Sequence, residues 1–299
     1  MRAVVVTGFG GPEVVRVAET EVPVPGPRQV RIKVAAATLN PVDAGVRQGF
    51  FGGAGERLGL GWDVAGTVDA VGEGGGRRVG DEVVALHHGM VKPLGTHAEY
   101  VVVDADAVAT APTTADAVLA ATLPLNATTA AQALDLLDLT PGRTLLVTGA
   151  AGAVGGYAVQ LAARRGVEVT ALAREEDGEL ARSLGAEHLV TGTDGAGAAG
   201  RVDAVLDAAV LGDSALEWAR DGGAYVGVIP GAAPAAVRGV RVGSVEVRAD
   251  GARLAELAGL VDEGALTLRV AGTYALDEAV KAHTRLAEGG LRGRLVLVP

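Results

Sequence analysis

One stretch, "TLLVTGAAGAVGGYAVQLA" (residues 144–162), limits what this chain can fold into more than any other. An apolar run ends at Thr148, glycines stand at 149, 152 and 155, and a helical pattern begins at once. A tight strand-to-helix turn needs glycine, which reaches backbone conformations closed to other residues. Gly152 would let the backbone approach a pyrophosphate, and Gly155 would let the helix lie close on the strand. The N–H groups at the helix start would then face the phosphates. Ala150 takes the first glycine place of the usual G-x-G-x-x-G, so the pattern alone is weak. Its placement between a clear strand and a clear helix makes a dinucleotide the expected ligand. Gly149, Gly152, Ala153, Val154 and Gly155 are its candidate contacts.

The next strand, "VEVTALA", ends at a second informative place. A site for NAD carries Asp or Glu about 20 residues past the glycines, on the ribose. Leu172, Ala173 and Arg174 stand there instead. A cation suits a 2′-phosphate, so Arg174 points to NADPH. The alternative is a solvated arginine beside Glu175, Glu176 and Asp177.

Around this turn, strands and helices alternate. "EDGELARSLG" reads as a helix, and "HLV", "VDAVLDAAV", "AYVGVIP" and "SVEVRAD" supply further strands. Such alternation implies a doubly wound parallel sheet. "GTDGAGAAGR" (192–201) reads as a surface loop. Before residue 113 the chain is β-rich: short alternating strands, "QVRIKVAAATL" the clearest, are separated by glycines and suit a small barrel or sandwich. Residues 113–137 read as one helix, with Thr114 or Asp116 as N-cap. The tail, "LDEAVKAHTRLAEGGLRGRLVLVP", reads as a helix and a strand.

Composition removes several classes of function. The net charge is −10, and no basic run offers a surface to a nucleic acid. The absence of cysteine excludes disulfides, thiolate nucleophiles and Cys-ligated metal. No apolar stretch approaches the ~20 residues of a membrane span. The expectation is a soluble cytoplasmic protein.

The order of several short motifs resembles the zinc-independent quinone oxidoreductase (zeta-crystallin-like) branch of the medium-chain dehydrogenase/reductase superfamily. "MRAVVVTGFGGPEVVRV" is followed by "LNPVDAGVRQG" (39–49), "GWDVAGTVDAVGEG" (61–74), "VGDEVVAL" (79–86) and "GTHAEYVVV" (95–103). "LPLNATTAAQAL" (123–134), the glycine turn and "GGLRGRLVLVP" complete the set. The resemblance implies a GroES-like β-rich catalytic domain over residues 1–118, a Rossmann NADP-binding domain over 119–255, and a return to the catalytic domain over 256–299. It also implies NADPH in the cleft, with the nicotinamide near Asn40, Thr129 and the "VGVIP" turn that holds Val228 and Ile229.

Two departures shape the expected chemistry. Zinc-dependent relatives carry Gly-His-Glu where this chain has Gly61-Trp62-Asp63, so no metal is expected. His87 and His88 read as loop or pocket lining, and His283 as a packing residue. Relatives also place tyrosines shortly after the N-P-x-D motif, where Gly45 and Phe51 stand here. The expected activity is NADPH-dependent hydride transfer to a quinone or other conjugated carbonyl, the proton coming from solvent. Asn40 would orient the substrate. Asp43 is either a catalytic group or a loop hydrogen-bonder, and Asp63 reads as structural. Phe51, Trp62, His97 and the loop 87–96 would line the pocket. An enoyl or enone reductase of a biosynthetic pathway, or a non-catalytic NADPH-binding protein, are the alternatives. The strand "SVEVR" (244–248) would end the Rossmann sheet and pair two copies into a homodimer.

Overall fold

The strand Gln29–Leu39 alternates buried and accessible side chains over its first half and is buried along its last four residues. It is the centre of the first unit. It pairs antiparallel with Asp63–Val71, Tyr100–Asp104 and Arg294–Val298. The full sheet runs Val270–Ala275, Arg294–Val298, Gln29–Leu39, Asp63–Val71, Glu82–Leu86 and Val108–Thr110, so the C-terminal strands are built into it. Val30, Ile32 and Val34 meet Val64, Val68, Val83 and Val101 in one apolar cluster. Leu39, Leu58, Leu60, Leu295 and Leu297 meet Val4 and Val6 in another. Nearly all of this core is aliphatic, as 3% aromatic content requires.

The structure, a computed structural model, describes residues 1–192 and 200–299; most of the loop expected over 192–201 therefore lies outside the described residues. The chain divides into two units. One holds Met1–Leu125, Arg248–Gly264 and Leu268–Pro299, the other Asn126–Val247 and Ala265–Thr267. The return to the first unit comes at Arg248 rather than 256 because the helix Gly251–Asp262 packs there. A Cβ on Gly251 would meet the Asp106 carbonyl at 2.6 Å and that of Val108 at 2.7 Å.

The second unit is a six-stranded parallel sheet in the order His188–Val190, Glu168–Leu172, Thr144–Thr148, Val202–Asp207, Ala219–Gly227, Arg241–Ser244. Thr144–Thr148 and Val202–Asp207 lie side by side at the centre, where the strand order reverses and ligands bind such sheets. Their C-terminal ends are tied together. Thr148 donates its hydroxyl to Asp207 at 2.6 Å, and the backbone N–H groups of Leu211 and Gly212 and the Tyr225 hydroxyl donate to the same carboxylate.

Two sequence expectations change. Residues 113–137 form two helices, Ala117–Ala120 and Pro124–Leu137. Proline has no N–H to give and crowds the preceding turn, so Pro124 starts a helix instead of continuing one. Asp116 caps the first, accepting from Leu119 N at 2.9 Å, while Thr114 bonds to Asp262. The last strand of the parallel sheet is Arg241–Ser244, not 244–248. It pairs with Ala224–Gly227, and the neighbouring strand ends at Gly227, so the ladder stops with it. Among the described residues, no helix is long and apolar enough to cross a membrane.

Candidate functional site

In the second unit, the glycine turn has the geometry its spacing predicts. Gly149 follows the strand with φ +59°, and Gly152, which has no side chain of its own, is the N-cap of the helix Ala153–Arg164. A Cβ on Gly155 would lie 2.2 Å from the Gly149 carbonyl oxygen, so only glycine lets the helix close on the turn. The turn is a cradle of backbone with a positive helix end, which fits a pyrophosphate. Arg174 stands just past the adjacent strand, with 63% of its side chain exposed and Glu176 3.7 Å away. Thr129 is buried in the helix Pro124–Leu137. Val228 and Ile229 follow the C-terminal end of Ala219–Gly227, Ile229 exposed.

In the first unit, a group of buried polar side chains gathers around the N-P-V-D motif. Asn40 precedes the helix Pro41–Gln48. Asp43 is fully buried. One of its oxygens accepts from Asn40 N at 2.8 Å, and the other accepts from Gly61 N at 2.7 Å. Asp43 is thus a clasp between two chain segments. Asn40 in turn donates its side-chain amide to Asp63 at 2.6 Å, and Asp63 also accepts from Leu125 N. Burial pushes the Asp63 carboxyl up to about 7, against those two hydrogen bonds, and the nearby Asp43 adds to the rise. Gly61 has φ +99°, and a Cβ there would run into the Thr96 hydroxyl and the His97 backbone.

Those segments bring an aromatic wall with them. Trp62 is 1% exposed and meets the His88 ring edge-on, 5.7 Å between centres. The Lys92 ammonium lies 4.4 Å from the Trp62 ring centre and donates to the His87 carbonyl at 2.7 Å. Burial pulls the Lys92 amine down to about 7, although Asp43 and Asp63 favour its charge. His97 is buried and donates from Nε2 to the Thr38 carbonyl at 3.0 Å, leaving Nδ1 without a partner. Burial lowers its pKa. His87 bonds to the Leu94 carbonyl, and burial, helped by Lys92, lowers it to about 4. Phe51 is partly exposed, and its ring fills the space beside Gly45, where a Cβ would lie 2.9 Å from Cε2.

Of the residues singled out in sequence, Asn40, Asp43 and Trp62 are joined by this network, and His97 backs onto it through Gly61. Lys92 was not foreseen. Its signal is compositional: only three of the 26 basic residues are lysine. A buried lysine can release its proton, whereas arginine cannot.

Comparison with known proteins places these features in a family. Residues 26–113 match the family model for the alcohol dehydrogenase GroES-like domain, and residues 184–297 match that for zinc-binding dehydrogenase. The 2-methylene-furan-3-one reductase of Solanum lycopersicum is 32% identical over 100% of this chain and 79% of its own. The chloroplastic NADPH-dependent alkenal/one oxidoreductase of Arabidopsis thaliana is 33% identical over 100% of this chain and 80% of its own. The chain belongs to the medium-chain dehydrogenase/reductase superfamily. Within it, the structure of the quinone oxidoreductase from Coxiella burnetii superposes with a TM-score of 0.87 at 28% identity, covering 100% of this chain and 99% of that one.

Membership in this superfamily raises two groups the residues can be tested against. The glycine cradle and the exposed Arg174 fit a dinucleotide with a 2′-phosphate. The first unit's network does not fit a catalytic zinc ion. Trp62 has no ligating atom, the chain has no cysteine, and His87 and His97 spend a ring nitrogen on carbonyls. Among the described residues, the one grouping of three acidic or imidazole groups close enough to share an ion is Glu168, Glu187 and His188, at the sheet edge of the other unit.

Proposed function

We propose that this chain is an NADPH-dependent reductase of quinones or conjugated enones, working without metal, as a cytoplasmic homodimer. Similarity along the whole chain to an NADPH-dependent alkenal/one oxidoreductase carries the reading. The turn at Gly149–Gly155 supports it with a phosphate cradle, and Arg174 with a cation for the 2′-phosphate.

NADPH supplies hydride to an electron-poor position of the substrate. The protein's work is to hold the acceptor and to steady the charge that forms on its oxygen. Asn40 is held by Asp43 and Asp63 and keeps one orientation as the substrate enters. Phe51, partly exposed, gives flat apolar surface to a planar ring or enone. The charge forms on a delocalised oxygen, so hydrogen bonds and a nearby cation serve in place of a Lewis acid.

The test is NADPH consumption with 1,4-benzoquinone, 9,10-phenanthrenequinone and small enones, before and after exhaustive chelation. Turnover on at least one class, unchanged by chelation, is the expected result. Tight NADPH binding with no turnover on any acceptor overturns the reductase reading. Loss of activity together with a stoichiometric zinc signal overturns metal independence.

A further inference from the structure

Lys92 is the one lysine in the chain that is buried, at 7% exposure; the other two are Lys33 and Lys281. Its backbone is fixed, with its carbonyl accepting from Gly59 N at 2.8 Å. Its ammonium spends one of three N–H bonds on the His87 carbonyl and rests against the Trp62 ring. Among the described residues it forms no ion pair. Asp43 and Asp63 act on it only through space, since their oxygens are taken by Asn40, Gly61 and Leu125. A buried cation kept from pairing, with donors to spare, is costly unless it has another use.

We propose that Lys92 is the proton donor of the reaction, its ammonium giving a proton to the substrate oxygen that becomes negative as hydride arrives. The proposal rests on the reductase reading above. The balance is simple. Hydride from NADPH forms a C–H bond at the β-carbon of an enone, or an O–H bond at one oxygen of a quinone, and leaves NADP⁺. The electron pair displaced from the substrate's π system settles on oxygen as enolate or hydroquinone anion. One Lys92 N–H bond breaks as that O–H bond forms, and solvent returns the proton to the amine. The other titratable groups around it are poorly placed. His87 and His97 are held neutral by burial, the His88 ring is engaged edge-on with Trp62, and Asp63 has both oxygens engaged. Phe51 and Gly45 leave no hydroxyl where relatives carry tyrosine. A buried amine poised near neutral pH is suited to the task. This replaces the expectation that solvent alone protonates the product.

The experiment compares the unsubstituted protein with Lys92→Met and Lys92→Arg in single-turnover NADPH oxidation across pH, alongside NADPH affinity. Lys92→Met should lower the rate by about 100-fold or more, the range of a lost general acid, with cofactor affinity unchanged. The rate in the unsubstituted protein should fall above about pH 7, and the methionine variant should lose that limb. Lys92→Arg keeps a cation that cannot release its proton, so it should restore part of the rate and none of the pH limb. A lysine that only braces the His87 loop would change melting temperature and leave the pH limb in place, and that result overturns the proposal. A rate for Lys92→Met within about three-fold of the parent does the same. If the variants do not fold, Cε-detected NMR of the unsubstituted protein decides, with Lys33→Arg and Lys281→Arg giving the assignment. Titration of Lys92 near 7 supports the proposal, and titration near the ordinary ~10.4 overturns it. A parent protein with no turnover removes the reductase reading and its proton donor together. Turnover that survives in Lys92→Met removes Lys92 alone.

Discussion

The side-chain amide of Asn40 donates to the Asp63 carboxylate at 2.6 Å, and the carboxylate has no solvent exposure at all. Burial raises the Asp63 pKa to about 7, against about 3.9 in an unfolded chain. Between those values the folded protein keeps a proton that the unfolded chain has released, so this group makes stability fall as pH rises from about 4 to about 7. In Asp63→Asn, the amide oxygen still accepts from Leu125 N and the charge is gone. The gap between the urea midpoints, pH 8 minus pH 5, should be more positive in the variant than in the parent, because the buried histidines push it the other way from Asp63. An unchanged gap would mean that Asp63 stays ionised in the fold.

His283 gives the opposite slope. It is 1% exposed in the helix Ala279–Ala287, and neither ring nitrogen has a partner. Burial, with His97 and Arg47 nearby, lowers its pKa to about 3, whereas an unfolded histidine titrates near ~6.5. Below that value the unfolded chain gains a proton that the fold refuses, so stability is lost as pH falls from about 6.5 toward 3. His283→Leu should remove this loss and the desolvation cost of the orphaned nitrogens, a gain of about 1–3 kcal/mol. The gain should be larger at pH 5 than at pH 8. A variant destabilised equally at both would show that the ring has partners supplied by bound water.

Arg174 is the proposed determinant of cofactor choice. Its side chain is exposed and only loosely engaged by Glu176, so it is available to a phosphate. A charge-assisted bond is worth roughly 1.5–3 kcal/mol. Arg174→Ala should weaken NADPH about ten-fold or more and leave NADH almost untouched, measured by fluorescence titration. Equal affinity of the parent for both cofactors would sink this assignment and point to Glu175 or Glu176 as ribose ligands.

Arg241–Ser244 is the end strand of the parallel sheet, and one side of its backbone is open to another strand. Two copies joined there across a two-fold axis would give the homodimer. Light scattering at micromolar concentration should report twice the 29.9 kDa chain mass. A monomer mass would contradict the pairing, and Val242→Pro, which removes a backbone donor from this strand, should yield that monomer if it is correct.

What the sequence made legible was local. The turn at Gly149–Gly155 could be read because close backbone approach admits one residue type, and Gln29–Leu39 because alternation has a period of two. The Trp62–Lys92 contact could not, because it depends on how a 30-residue detour folds back through Gly59 and Gly61. Asp43 shows the same limit: its bond to Asn40 N is a helix-start pattern, whereas its bond to Gly61 N is tertiary. Pro124 is the break in that stretch, but the helical period on either side of it outweighs a single proline in a pattern reading.

The two oxygens of Asp43 have a consequence for how new substrates could be accommodated. Because one carboxylate holds both Asn40 and Gly61, the proposed floor of the substrate site cannot be adjusted one residue at a time; altering one loosens the other. The proposed rim around Phe51 is built differently. Phe50 is 74% exposed, and Phe51 leans on Gly45 with no polar tie. Substitutions there meet little resistance from packing. If the proposed site lies here, it joins a floor that is hard to change to an edge that is easy to change, and selectivity could drift at the edge while the floor stays as it is.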